Sequence, residues 1–299
     1  MNNKIMLTND NSIKKINFIY FILLTFLILF GFYKNGIIPY YHGYINILEM
    51  FKPIVLPYLF YYVTSFIVYV KTKRKNASYY SLLPTSGLIV GMLLPISVNF
   101  FLLLIIYIIT TFVYVFYIEN KISINFIMYS ICIILLCSMA IYQNFDITSL
   151  FMNKYEYNVK IDSNISKKIL GFNVSGISSS NVVLSVVIAV LLYFLTIYKY
   201  NISIYSIMSF IVVALPFSLL FKYDIYGMFN SYVLFMLIFG VNEIKTSSYT
   251  NLGEVVSGIL LGILIFINSF ISIPFSVIIS SLILSLITPI LNKLCRKVI

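Results

Sequence analysis

The chain has no tryptophan, a single histidine (His42) and three cysteines, and only 10% of its 299 residues are charged. Each shortage excludes something. Soluble domains carry roughly a quarter charged residues. A water-facing surface cannot be built from this composition, so lipid must cover most of the outside. A zinc or iron–sulfur site needs clustered ligands at characteristic spacings. Cys132 and Cys137 lie five apart in an apolar run, on different faces of a helix, and Cys295 lies in the basic tail. All three read as small apolar side chains, and no metal site is expected. Without tryptophan, the 26 tyrosines must supply the interfacial aromatic belt. No Ser–His–Asp set and no phosphate-binding glycine loop is visible in the sequence. Ordinary hydrolase or nucleotidase chemistry is therefore disfavoured, and no catalytic residue is assigned.

What remains is apolar. Hydrophobic residues make up 61% of the chain, and the mean hydropathy is +1.00. A span needs roughly 20 mostly apolar residues. About ten candidates follow one another: 16–33, 54–70, 79–96, 100–118, 124–142, 182–198, 202–221, 226–241, 255–273 and 274–290. The first resembles a signal peptide behind Lys14 and Lys15, but no small-residue cleavage site follows it. The expected fold is an all-α polytopic membrane protein with no soluble catalytic domain. Residues 1–142 and 182–299 would each hold five helices, with 143–181 as an extracytoplasmic loop between them.

The net charge of +11 is not a nucleic-acid footprint, because no basic run is long enough or interleaved with exposed aromatics. Membrane proteins keep Lys and Arg in short cytoplasmic loops. Lys4, Lys14 and Lys15 precede the first span, Lys71, Lys73, Arg74 and Lys75 follow the second, and Lys293, Arg296 and Lys297 close the chain. With ten spans these segments share one side, so both termini are expected in the cytoplasm of a cell whose plasma membrane holds the protein. The polar stretch 143–180 then faces outside.

Two patterns point to close packing. Gly87 and Gly91 are four apart in SGLIVG, as are Gly258 and Gly262 in SGILLG. Small residues at this spacing let helix backbones approach. Polar breaks interrupt the spans at 95–99 in the first half and 242–254 in the second. Irregular backbone at membrane depth is tolerated where it is buried in protein or lines a cavity. Paired breaks in corresponding halves mark a repeat with a central site.

The second break lies in FGVNEIKTSSYTNLGEVVSGILLGIL, residues 239–264. This stretch resembles the membrane subunits of two related redox pumps: RnfD, from the Rnf ion-translocating electron-transport complex, and NqrB, from the sodium-pumping NADH:quinone oxidoreductase. The family pattern is approximately A-T-D-P-V-T-S-P-T-T-P-R-G-Q followed by a glycine-containing helix. Thr246, Ser247, Thr250, Gly253 and Gly258 fall in step with it, Glu243 stands where the family has Asp, and Glu254 where it has Gln. SGLIVGMLLP at 86–95 and LSLITPILNKL at 284–294 resemble two further family helices, with Thr288 and Pro289 in step.

The resemblance implies a urea-transporter-like fold of two inverted five-helix repeats. It also implies flavin mononucleotide joined through its phosphate to a hydroxyl outside the membrane, with a second flavin as a further expectation. The family attachment pattern, close to D-x-x-[ST]-G-A-T, falls on residues 172–178. Ser175 and Gly176 match, Ser178 takes the place of the modified threonine, and Phe172 and Ile177 depart from the pattern. Flavin chemistry would need other membrane and redox subunits as electron partners. The implied function is the membrane subunit of a flavin-dependent electron-transport complex that moves ions, and thus at most one component of an oxidoreductase. A small-solute permease or channel, or an accessory anchor on the same scaffold, is the alternative.

Without the resemblance, Ser178, Ser179, Ser180 and Asn181 precede a helix and would cap its free N–H groups. Glu243 and Lys245 are either functional ionisable groups at membrane depth or charges in water at the headgroup level. Glu254 suits the positive end of the ninth helix. Asp224 and Lys222 read as a solvated loop pair.

Overall fold

The computed structural model describes residues 13–43, 45–71, 83–94, 98–119, 124–142, 178–179, 181–195, 200–221, 223, 225–243, 246–248, 250–270 and 273–296. Among them there is no strand. The helices are α1 (Ile13–Phe32), α2 (Ile38–Tyr41), α3 (Ile47–Lys71), α4 (Leu83–Leu93), α5 (Phe100–Glu119), α6 (Phe126–Tyr142), α7 (Val182–Phe194), α8 (Asn201–Phe221), α9 (Ser231–Phe235), α10 (Asn251–Asn268) and α11 (Ile273–Arg296). A π-turn, Tyr33–Ile37, joins α1 to α2, and another, Met236–Gly240, extends α9. Helix thus occurs at each of the ten expected positions. Five stretches are long and apolar enough to cross a membrane: Phe18–Tyr41, Ile47–Ile67, Asn201–Phe221, Asn251–Asn268 and Pro274–Cys295. The protein is a multi-pass membrane protein.

Several boundaries moved from the hydropathy reading, each for a local reason. The first span continues through Tyr41 because the π-turn widens the helix around buried Asn35 and Gly36. Pro39, which has no N–H to return to the carbonyl four residues back, follows directly. Gly43, at φ 72°, ends the run. The third helix starts at Ile47, where the Asn46 N–H donates to Glu49 Oε2 at 3.1 Å and the Glu49 N–H returns to the Asn46 carbonyl at 3.0 Å. The second break narrows to 242–250, because Thr250 Oγ1 accepts from the Gly253 N–H at 3.0 Å and starts α10 at Asn251.

Polarity is inverted relative to a soluble bundle. On α8, Ile204, Met208, Val212, Leu215 and Leu219 form an exposed stripe, while Ser203 and Ser206 are buried. In α11 the buried positions include Ser276, Ser280, Ser281, Ser285 and Thr288. Lipid favours the apolar outer face, and the inner hydroxyls find helical carbonyls, as Thr288 Oγ1 does on Leu284 at 2.8 Å.

The largest helix contacts are α3 with α4, α8 with α10, and α10 with α11. Between the first half (α1–α6) and the second (α7–α11), the chief contacts are α6 with α11, α1 with α7, and α4 with the π-turn after α9. With α1 and α2 taken as one segment, these pair the fifth with the tenth, the first with the sixth, and the third with the eighth. The eighth is also short: Ser231–Gly240 covers ten residues, about 15 Å at the helical rise, against a hydrocarbon core of about 30 Å.

Candidate functional site

The second break does not float free. It closes onto the amino end of α6. Asn125 precedes α6, and its Oδ1 accepts from the Met128 N–H at 3.0 Å, capping the helix. Its Nδ2 donates to the Gly240 carbonyl at 2.9 Å, at the end of the π-turn. The next free donor of α6, the Phe126 N–H, goes to Glu243 Oε2 at 3.0 Å. Thr246 Oγ1 approaches the same oxygen at 3.4 Å. The carboxylate is buried, and the positive end of the α6 dipole faces it. Of the two readings of Glu243, the geometry selects the group held inside protein.

Beside it, buried Asn242 turns its amide the other way. Its Nδ2 meets Ser203 Oγ on α8 and the carbonyls of Leu237 and Ile238, at 3.2 and 2.9 Å. Ser203 Oγ donates to the Leu237 carbonyl at 2.6 Å. These bonds satisfy the last carbonyls of the π-turn, which the end of the helix leaves without partners. Asn242 Oδ1 has no hydrogen-bond partner. Further along, Ser248 Oγ meets Asn292 Oδ1 on α11 at 2.7 Å. Glu254, in the first turn of α10, accepts from Asn201 Nδ2 at 2.6 Å, which links the starts of α10 and α8. The break therefore holds α6, α8, α10 and α11 together, with two buried carboxylates, Glu243 and Glu254, at its ends.

At the other break, Ser178 lies against α4. Its N–H donates to the Met92 carbonyl at 3.2 Å. Ser178 and Ser179 are fully buried, and neither hydroxyl has a hydrogen-bond partner among the described residues. The cap of α7 is Asn181, whose Oδ1 accepts from the Leu184 N–H at 2.9 Å. The capping reading thus fails for Ser178 and Ser179, which leaves both hydroxyls chemically uncommitted. Ser175, Gly176, Lys245, Lys222 and Asp224 lie outside the described residues.

A family profile described as NQR2, RnfD, RnfE family matches residues 1–299. The chain belongs to the NQR2, RnfD, RnfE family. No curated protein matches it significantly. Members of this family are membrane subunits of multi-subunit electron-transport complexes, and this chain is such a subunit. In this NQR2, RnfD, RnfE member the residues that carry the family pattern have definite mechanical roles. Thr250 is the α10 cap, and Glu243 is the centre of the junction. A Cβ on Gly253 would run into Ser248 Oγ, and one on Gly258 would lie 2.6 Å from Tyr205 Cβ and 2.9 Å from the Ile202 carbonyl.

Sequence reasoning placed Asn181 among the residues that cap a helix but missed Asn99, Asn125 and Asn230; all four accept from a backbone N–H at the start of a helix. The signal was there: an asparagine directly before an apolar run is a helix start. The partners of Asn201 and Asn242, Glu254 and Ser203, carried no such signal, because they are distant in sequence.

Proposed function

We propose that the protein holds flavin mononucleotide at Ser178, on the outer side of the membrane, and passes electrons between other redox subunits of its complex. The observation that carries this reading is the free hydroxyl. Ser178 occupies the family's attachment position, it is not used as a cap, and its Oγ has no partner. A phosphoester needs such an oxygen. A flavin bound there would supply one- and two-electron chemistry, with the protein contributing position and electrostatics. The side chain fits in chemistry, but in its seat on α4 it is sealed. Attachment requires residues 178–179 to leave Met92 and break one backbone hydrogen bond. Complete burial is also the observation that favours the alternative, a flavin-free permease or anchor on this scaffold.

The proposed architecture is ten crossings in two inverted halves, with both termini cytoplasmic and 143–180 outside. Like-with-like contacts between the halves support it, since a pseudo-two-fold axis brings each segment against its own equivalent. A short eighth helix that runs into a break supports it further.

Mass spectrometry of peptides covering 169–181 tests the flavin, on protein made with a flavin-attaching enzyme present. A peptide heavier by flavin mononucleotide less water, and unmodified in Ser178→Ala, is the expected result. An unmodified wild-type peptide moves the chain to the permease or anchor reading. A cysteine placed at Lys160 tests the topology: labelling from the cytoplasmic side alone would overturn the orientation.

A further inference from the structure

We propose that Ser178 and Ser179 form a latch. Closed on α4, it shields the Ser178 hydroxyl; only its open form accepts a group from solution, and the attached group then bars it from closing. That group is the flavin phosphate proposed for Ser178, and the last step rests on that reading. The closed form is held by a hydrogen bond from the Ser178 N–H to the Met92 carbonyl, at 3.2 Å. This carbonyl lies in the last turn of α4, where a helix leaves its final carbonyls without internal donors. Both serine side chains are 0% exposed. The start of α7 is held separately. Asn181 Oδ1 accepts from the Leu184 N–H at 2.9 Å, and the Asn181 carbonyl accepts from the Ser185 N–H at 3.1 Å and from Ser185 Oγ at 2.8 Å. The latch can therefore open beside a helix that stays capped.

Plain packing does not account for this pair. Neither hydroxyl has a hydrogen-bond partner among the described residues. Leaving a buried hydroxyl unsatisfied costs more than a typical hydrogen bond returns. The seat thus gains one hydrogen bond and leaves two hydroxyls without any. Alanine at both positions would fill it without burying a polar side-chain atom. In the open form both hydroxyls meet water, so the pair that opposes closing also eases opening. Local openings of this kind proceed without global unfolding. Two serines that weaken the closed form, and bond nothing in it, are accounted for when the open form is the one that is used.

The transfer needs a flavin nucleotide whose phosphate is held in an anhydride to a second nucleotide's phosphate. A bond forms between Ser178 Oγ and the flavin phosphorus, the anhydride P–O bond breaks, and the second nucleotide leaves with its phosphate. The hydroxyl proton passes to water, and nothing is oxidised or reduced. The attacking oxygen must come within about 3–3.5 Å of phosphorus, which a fully buried hydroxyl cannot do in its seat. A seat filled by two serine side chains has no room for a flavin phosphate, so the modified chain cannot close on Met92 again.

The full chain in lipid bilayers tests this, made without the attaching enzyme and then given that enzyme with its flavin nucleotide. Mass spectrometry of peptides covering 169–181 follows the modification of Ser178 with time. When opening is faster than transfer, the rate follows the open fraction. Ser179→Ala removes an unsatisfied hydroxyl from the closed form and should slow modification at least about fivefold. Ser179→Asp places a charge that the seat cannot bury and should speed it at least about tenfold. Protein made with the enzyme present tests the flavin reading alone. If it too stays unmodified, that reading fails and thiol labelling decides the latch. A water-soluble reagent should then label Ser178→Cys more slowly with Ser179→Ala added and faster with Ser179→Asp added. The parent chain is the blank for Cys132, Cys137 and Cys295. In flavin-bearing protein, Ser179→Cys should be labelled at least about tenfold faster than in flavin-free protein. Should Ser179→Asp fail to fold, Ser179→Ala decides alone. Modification or labelling of the Ser179→Ala chain at the parent rate overturns the latch. Equally slow labelling of Ser179→Cys with and without flavin overturns the bar on closing.

Discussion

In the first half, Ser86–Gly91 lays its glycines on α3; in the second, Ser257–Gly262 lays the same pattern on α8. The receiving helix directly precedes α4 in the chain, whereas α9 intervenes between α8 and α10. The floors also differ. A Cβ on Gly91 would lie 2.5 Å from the Pro53 carbonyl, and one on Gly87 2.8 Å from that of Pro57. Pro57 has no N–H, so the Pro53 carbonyl lacks its helical donor, and the glycine approaches an oxygen that the helix has left open. On α8 the floor is an ordinary helix with small side chains: a Cβ on Gly262 would run into the Ser206 carbonyl and Ser209 Oγ. One pattern therefore meets two solutions, a proline-opened helix and a serine-lined one.

The comparison can be broken at its strongest points first. Gly262→Leu and Gly91→Leu each force a side chain into backbone, and each should lose about 3 kcal/mol. Thermal unfolding of purified protein, with yield of monodisperse material as the cross-check, measures this. Gly258→Leu should follow closely. If these variants unfold like the parent, the glycines face lipid. Gly36→Ala sharpens the argument from the other side. Its Cβ would meet only the flexible Met50 side chain, so a change within about 0.5 kcal/mol is expected. Equal losses at 36 and 91 would refute the claim that backbone contact sets the cost.

The two breaks compare in the same way, with smaller effects. Glu243→Ala leaves the Phe126 N–H buried without its acceptor, which should cost about 2 kcal/mol in unfolding. At the first break, Asn181→Ala should cost about 1 kcal/mol through the lost cap of α7. Ser178→Ala should cost nothing measurable, because its hydroxyl has no bond to lose. A Ser178 loss as large as that of Asn181 would return Ser178 to the capping role. The smallest signal is chemical. Ser178→Cys should resist a water-soluble thiol reagent, while Tyr41→Cys, at a side chain 89% exposed, reacts readily.

Much of the fold was legible because lipid makes a simple demand. Roughly twenty apolar residues in a row make a helix, and among the described residues each stretch so marked contains one. The ends were less legible. Helix starts depended on single polar residues, of which Asn181 was read as a cap and Asn46 and Asn125 were not. The site was legible in part. The family pattern drew attention to Glu243 and Ser178, but nothing local in 118–125 marked Asn125 and Phe126 as the partners of the second break.

Composition and hydropathy by themselves determined that this is a multi-pass helical membrane protein, that its glycine pairs permit close helix contact, and that its breaks matter. These follow from local properties: side-chain transfer energy, backbone hydrogen bonding and the missing Cβ. Only the tertiary structure decided that α10 rests on α8 rather than on its neighbour α9, that α6 delivers its first N–H to a carboxylate 117 residues away, and that Ser178 is seated on Met92. Those depend on which surfaces meet once the helices are packed together, and a one-dimensional pattern carries no record of its partner.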